Sequence, residues 1–266
     1  MSEQRAIVRV LRTVQKAKEI RRKQIQLERE LKAAVMQRLF NRGARGEARK
    51  QTEIGEMPEN WRVMKLGEIA EVAYGLTVNS ARRNGSDLAP YLTVANVSRG
   101  ALHLDEVKQI GMLEGDAKKY RLKKGDVLLI EGNGNPKLIG SAAIWNDELP
   151  FALHQNHLIR ARSDQAVILP EWLMNYINSD AGRAQLLGRA TTSSGLHSIN
   201  SRLIASLQIP TPSLDEQGAV VNVLRACDKV IALLEKESAL LDELFRALLE
   251  ELMTGRLSAT ALIESE

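Results

Sequence analysis

Four short stretches carry residue types that could do chemistry. "EGNGNPKLIG" (131–140) sets Gly, Asn and Lys behind the strand-like "DVLLI", where a phosphate-binding loop would lie. It lacks the Lys-Ser/Thr pair and the following helix that cradle phosphate, and so reads as a turn. Asp126, Glu131 and Lys137 raise the idea of a metal-dependent nuclease, but Glu131-Gly132-Asn133 has no lysine two residues beyond the carboxylate. "HQNH" places His154 and His157 three apart, with no cysteine nearby and no carboxylate before Asp164, which is a poor zinc set. These histidines read as structural or polar-contact groups. Cys227, the single cysteine, sits in an apolar helical stripe with no histidine near it in sequence, and no G-x-S-x-G elbow occurs. The residues point to a chain that binds rather than catalyses, with an autonomous nuclease ranked last.

Side chains suited to reading base edges are better represented. Arg and Lys pair with guanine, Asn and Gln with adenine, Ser and Thr more loosely, and phosphates take any nearby donor. "TVNSARRNGSD" offers Thr77, Asn79, Ser80, Arg82, Arg83 and Asn84. "GNGNPK" offers Asn133, Asn135 and Lys137. "RATTSSGLHSINSR" offers Arg189, Thr191, Thr192, Ser193, Ser194 and His197 among small residues that let a backbone approach phosphate. Each stretch has the plainer reading of a solvated turn. Gln155 and Asn156, near a strand start, read either as buried hydrogen-bonding groups or as contacts. Trp61, Trp145 and Trp172 lie in apolar contexts and read as core, which leaves few rings for stacking single-stranded bases and favours a duplex.

The elements that must position these loops fall into three blocks. Residues 1–50 carry fifteen Lys/Arg and five Asp/Glu, residues 51–212 seventeen of each, and residues 213–266 five and eleven, giving +10, 0 and −6. The middle block alternates short β-like runs ("VMKLGEIAEVAY", "PYLTVANV", "DVLLI", "SAAIW", "NHLIRAR") with turns, then a helical "LPEWLMNYINSDAGRAQLL". Prolines in "IGEMPENW" and "IPTPSLDEQ" mark its ends. No stretch approaches the ~20 apolar residues of a membrane span.

The outer blocks repeat one another. Laid without gaps, residues 3–39 and 216–252 share fourteen identities. Two copies are too few for a solenoid, so the repeat must serve a pairing. In the second copy Leu224, Cys227, Ile231, Leu234, Leu241, Phe245, Leu248 and Leu252 trace a coiled-coil seam broken at Ser238. In the first copy Val10, Val14, Ile20, Leu27 and Leu31 trace a similar stripe. Each helix is expected to run about 37 residues, on the order of 55 Å, and their opposite charges fit mutual pairing, with the apolar seam dominant.

Several fragments together resemble the DNA specificity subunits of type I restriction-modification systems: "IGEMPENWRVMKLGEIAEVAYG", "LKKGDVLLIEGNGNP", "HQNHLIRAR", "LPEWLMNYINSDAGR", "INSRLIASLQIPTPSLDEQ" and "LLDELFRALLEELMTGRL". The likeness spans nearly the whole chain in the family's order. It implies an α+β fold: one mixed α/β target recognition domain (51–212) between two long helices (1–50 and 213–266) forming an antiparallel coiled coil. The family normally joins two recognition domains and two helices; this chain has helix, one domain, helix, and looks like the second half of a full subunit or a natural half-length form. The resemblance further implies a non-catalytic subunit that reads half of a split double-stranded DNA target in the cytoplasm and binds no cofactor itself. Its partners would be methyltransferase subunits using S-adenosylmethionine, a motor-nuclease restriction subunit using ATP and Mg, and a second recognition unit, by homodimerisation or by pairing with another specificity unit. The alternative is a coiled-coil scaffold with a protein-binding middle domain, for which replacing Arg82, Arg83 and Asn84 would leave DNA binding untouched.

Overall fold

The computed structural model describes residues 3–44, 46, 48–133, 135, 138–188, 191–193 and 196–258. The chain divides into two compact units, residues 1–35 with 223–266, and residues 36–222.

The first unit is a helical hairpin built from the helices Glu3–Arg42 and Leu214–Met253, each of 40 residues. Gly43, at φ +66°, supplies the left-handed turn that stops the first helix. The helices run antiparallel: Ala6 packs with Leu252 at one end, while Lys32 reaches Asp228 (2.5 Å) near the other. On the C-terminal helix Leu224, Ile231 and Leu252 are buried, and Leu234, Leu241, Phe245 and Leu248 are half-buried along the seam.

The N-terminal helix departs from the apolar stripe read in the sequence. Val10 and Val14 are half-buried, but Ile20, Leu27 and Leu31 point to solvent, each more than half exposed. Its inward face runs instead through Leu11, Val14, Lys18, Arg21, Ile25, Glu28, Lys32 and Val35. The physical reason lies in cross-helix ion pairs. Lys18 bonds Asp242 (2.7 Å) and lies over the Phe245 ring, and Arg21 bonds Glu237 (2.9 Å), so cations with long apolar stems fill seam positions.

In the second unit, a four-stranded antiparallel sheet has the order Ala142–Ile144, Asp126–Ile130, Leu158–Ser163, Ala70–Tyr74. The strand "DVLLI" is buried at every residue because both of its faces are covered. Leu128, Ile130 and Leu158 pack with Trp145 and Leu92 in one core cluster. A smaller sheet joins Leu153–His154 in parallel to Leu88–Leu92, which pairs antiparallel with Lys108–Gly111. The expected helix at 169–187 is two helices, Pro170–Asn178 and Asp180–Leu187, because Ser179 leaves the first and caps the second by accepting from Gly182 N–H. Trp172 is fully buried edge-on to Phe40 (4.9 Å) and Trp61 (5.4 Å), and its indole N–H donates to the Pro210 carbonyl (2.8 Å). The buried Gln217 side chain accepts from Leu169 N–H and donates to the Val167 and Pro212 carbonyls.

Candidate nucleic-acid interface

Antiparallel pairing decides where the polar loops go. The register sets Tyr74 opposite Ile159 and Ile130 opposite Leu158, so strands Ala70–Tyr74 and Asp126–Ile130 end where Leu158–Ser163 begins. The segments after residues 74 and 130 and before residue 158 therefore leave one end of the sheet together.

Backbone bonds then lock neighbouring loops to that end. Leu76 N–H donates to His154 O and Asn156 N–H to Leu76 O, both at 2.8 Å, which lays Thr77 beside Gln155 and Asn156. Gly75 is required for this approach: a Cβ there would sit 2.1 Å from His154 O. Glu131 joins three segments, since its N–H donates to His157 O and its carbonyl accepts from Ile199 N–H, both 2.9 Å. Beyond it Gly132–Asn133 pairs with Leu196–Ser198, which pairs with Thr191–Ser193. Ser201 N–H donates to the Tyr74 hydroxyl (3.0 Å), fixing the exit of that hairpin.

The edge thus gathers Thr77, Gln155 and Asn156 with the backbone of the 132–133, 191–193 and 196–198 segments, whereas the turn Ser80–Arg83 packs against Lys108–Gly111, beside the Leu88 end of the smaller sheet rather than the Leu92 end that Gln155 joins. Thr77, Asn79, Ser80, Arg83 and Asn84 are exposed, as is Asn135, while Gln155 and Asn156 are half-buried at the sheet end. Asn79 Oδ1 caps the turn Ser80–Arg83 by accepting from Arg82 N–H (3.0 Å), so that oxygen is committed to the backbone. Asn133, Thr191, Thr192, Ser193 and His197 contribute backbone pairing here. Lys137, Arg189 and Ser194 lie outside the described residues.

Arg82 requires correction. It turns inward rather than toward a base edge: its guanidinium grips both Asp116 oxygens, one at 2.8 Å, with side-chain exposures of 7% and 4%. That bond holds the Asp116 carboxyl below the usual carboxylate range and the Arg82 guanidinium above its own, while burial opposes both shifts. Arg82 and Arg83 adjoin in sequence, yet the ~100° step between neighbouring helical residues buries the first and exposes the second.

The two histidines part in the same way. His154 is wholly buried, its Nδ1–H donating to Tyr120 O (3.0 Å), and burial pushes its pKa down to about 4, so it is neutral. His157 is exposed and its Nδ1–H donates to Glu131 (2.8 Å). This pair, 26 residues apart in sequence, went unread because only the strand register brings it together. Asp126 is not free for metal: it is buried and accepts two bonds from Arg162 (2.7 Å each) and one from Lys123 N–H (2.7 Å). Among the described residues no group of three or more His, Cys, Asp or Glu could hold a metal ion.

Comparison with known proteins decides the family. The model for the type I restriction modification DNA specificity domain matches residues 58–243. The chain belongs to that family. Curated relatives include the type I restriction enzyme MjaVIII specificity subunit of Methanocaldococcus jannaschii, 26% identical over 97% of this chain and 60% of its own length. The EcoKI specificity subunit of Escherichia coli strain K12 is 24% identical over 72% of this chain and 42% of its own. The fold is shared with the HsdS subunit from Thermoanaerobacter tengcongensis (TM-score 0.57, 19% identity, 97% of this chain and 59% of that one). It is shared also with the type I S subunit from M. genitalium (TM-score 0.57, 18% identity, 95% and 61%). This specificity-domain chain therefore spans about half of the curated subunits it matches, up to 60%.

Proposed function

We propose that this chain reads one half of a bipartite double-stranded DNA target within a type I restriction-modification complex. One observation carries the reading: the segments that follow Tyr74 and Ile130, the segment 155–157, and the paired backbone of 132–133, 191–193 and 196–198, distant in sequence, leave one end of the sheet together. Bases are read by such a set when the scaffold is stiff and the loops are polar. Arg83, Gln155 and Asn156 are assigned the base-edge role, and Thr77, Ser80 and Asn84 the phosphate role. The near-neutral charge of residues 51–212 favours contact by placed groups over diffuse attraction.

In this reading the chain supplies the address and performs no chemistry. Methyltransferase subunits bring S-adenosylmethionine, a motor-nuclease subunit brings ATP and Mg, and the long helices dock them and set the distance to a second recognition unit. Among the described residues no helix is long and apolar enough to cross a membrane, in keeping with work in the cytoplasm.

The test is selection of duplexes from a random library by the full chain assembled with its methyltransferase subunits. The reading expects a short enriched half-motif that weakens in the Gln155→Ala/Asn156→Ala variant. Recovery of random sequence from an intact assembly would sink it and favour a protein-binding scaffold.

A further inference from the structure

Glu131 places a carboxylate where an acid is least expected. In the segments that gather at the sheet end, 75–79, 131–133, 155–157, 191–193 and 196–198, it is the one acidic residue. Its main chain is tied on both sides, to His157 O and to Ile199 N–H (2.9 Å each). The side chain makes a single bond: Oε2 accepts from His157 Nδ1–H (2.8 Å), and no other described residue pairs with the carboxylate. The pair lies at the surface, with the His157 side chain 54% exposed and that of Glu131 21%. It is therefore open to a ligand in a way that the sealed Arg82–Asp116 pair is not.

A carboxylate repels phosphate, so on a surface that meets DNA it is costly unless a base takes it. The bases differ in what they offer in the major groove. Guanine presents two acceptors, thymine an acceptor and a methyl group, and adenine an acceptor beside its amine. A carboxylate only accepts, so each of those acceptors repels it. Cytosine presents its N4 amine and no acceptor of its own. The neighbouring Gln155 and Asn156 carry amides, which both donate and accept and so suit adenine; Glu131 is the acceptor-only group beside them. His157 sharpens the choice. By holding Oε2 it restrains the Glu131 side chain before DNA arrives and leaves Oε1 available to a donor.

We propose that Glu131, positioned by His157, is a specificity determinant that reads one C·G pair of the half-site by accepting a hydrogen bond from the cytosine N4 amine in the major groove. This rests on the function proposed above and deepens it, by naming a base pair and the atoms that meet.

The test selects duplexes from a random library with the full chain assembled with its methyltransferase subunits, then measures binding to the enriched half-motif and its single-pair replacements by fluorescence anisotropy. The wild type should enrich a half-motif holding a C·G pair whose replacement by T·A weakens binding about 5- to 100-fold. In Glu131→Ala the same replacement should cost less than about 2-fold, with the other positions read as before. Glu131→Gln should move that position alone toward A·T, because an amide suits adenine; it carries the comparison if the alanine variant does not assemble. His157→Ala should shrink the C·G preference, and His157→Asn, which keeps a donor near Nδ1, should restore most of it. A Glu131→Ala assembly that binds every sequence more weakly by one common factor makes the residue a structural clamp and overturns the proposal. A half-motif without a C·G pair, or a C·G preference undiminished in both Glu131 variants, overturns it too and leaves the function proposed above standing. A wild type that enriches no motif fails that function, and this assignment with it.

Discussion

Along the hairpin Lys18, Arg21, Arg29 and Lys32 reach across to Asp242, Glu237, Glu235 and Asp228, with the acid of each pair 36–53% exposed, whereas in the sheet-containing unit Arg82 and Asp116 are sealed together at 7% and 4%. Exposed pairs are individually worth ~0–1 kcal/mol and are screened by salt. Their use in the hairpin is to fix which residues face each other, because Leu-rich seams alone slide readily between registers. The buried pair does something else: it commits a cation to holding the loop 79–87 in place against Asp116. Identical residue types thus set alignment in one unit and loop shape in the other, and burial decides which.

Removing one partner of the sealed pair is the harshest way to break that contrast. Asp116→Ala should cost about 3–5 kcal/mol, because it strands a buried guanidinium. Urea unfolding of the full chain measures this, and the Arg82→Met/Asp116→Leu double variant should recover most of the loss.

A second effect is set by pH. The His154 pKa in the folded chain, about 4, lies below its ordinary 6.5. The folded state therefore resists a proton that the unfolded chain accepts. Stability is unaffected above pH 6.5 and falls as pH drops toward 4, by up to about 3 kcal/mol. His154→Gln should flatten that slope. The lowered Asp116 carboxyl acts in a more acidic window: its contribution is full above the ordinary carboxylate range and is lost as pH falls through its lowered value.

Smaller still is the expected cost of removing a residue proposed to read bases. Gln155→Ala or Asn156→Ala should leave unfolding within ~0.5 kcal/mol of wild type while weakening binding to the cognate duplex by about 1–3 kcal/mol. Fluorescence anisotropy against cognate and scrambled duplexes separates the two effects. At the mild end, Glu235→Ala should shift hairpin stability by no more than ~1 kcal/mol, and thermal melts in low and high salt should converge.

Much of this architecture was legible in the sequence because it is periodic. The seam from Leu224 to Leu252 and the buried run "DVLLI" follow from apolar spacing alone. The N-terminal stripe misled for a physical reason: Ile20, Leu27 and Leu31 have the right spacing for a seam, but the neighbouring line through Lys18, Arg21 and Lys32 finds acids on the facing helix. Periodicity reports that a face is apolar and does not say what covers it. Composition singled out Thr77, Gln155 and Asn156, which the backbone bonds lay side by side, but the burial of Arg82 and the pairing of Glu131 with His157 depend on contacts 34 and 26 residues distant. The first is set by the packing of two short helices and the second by strand register, neither of which short-range patterns encode.

The central claim is that this edge reads DNA sequence. The most direct measurement is to co-produce the chain with its methyltransferase subunits in a host lacking adenine methylation and to map methylated adenines across the genome. The account predicts a split motif at fixed spacing, one half of which is altered or lost in the Arg83→Ala/Gln155→Ala/Asn156→Ala variant. An assembled complex that methylates nothing, or a motif indifferent to those three residues, would contradict it.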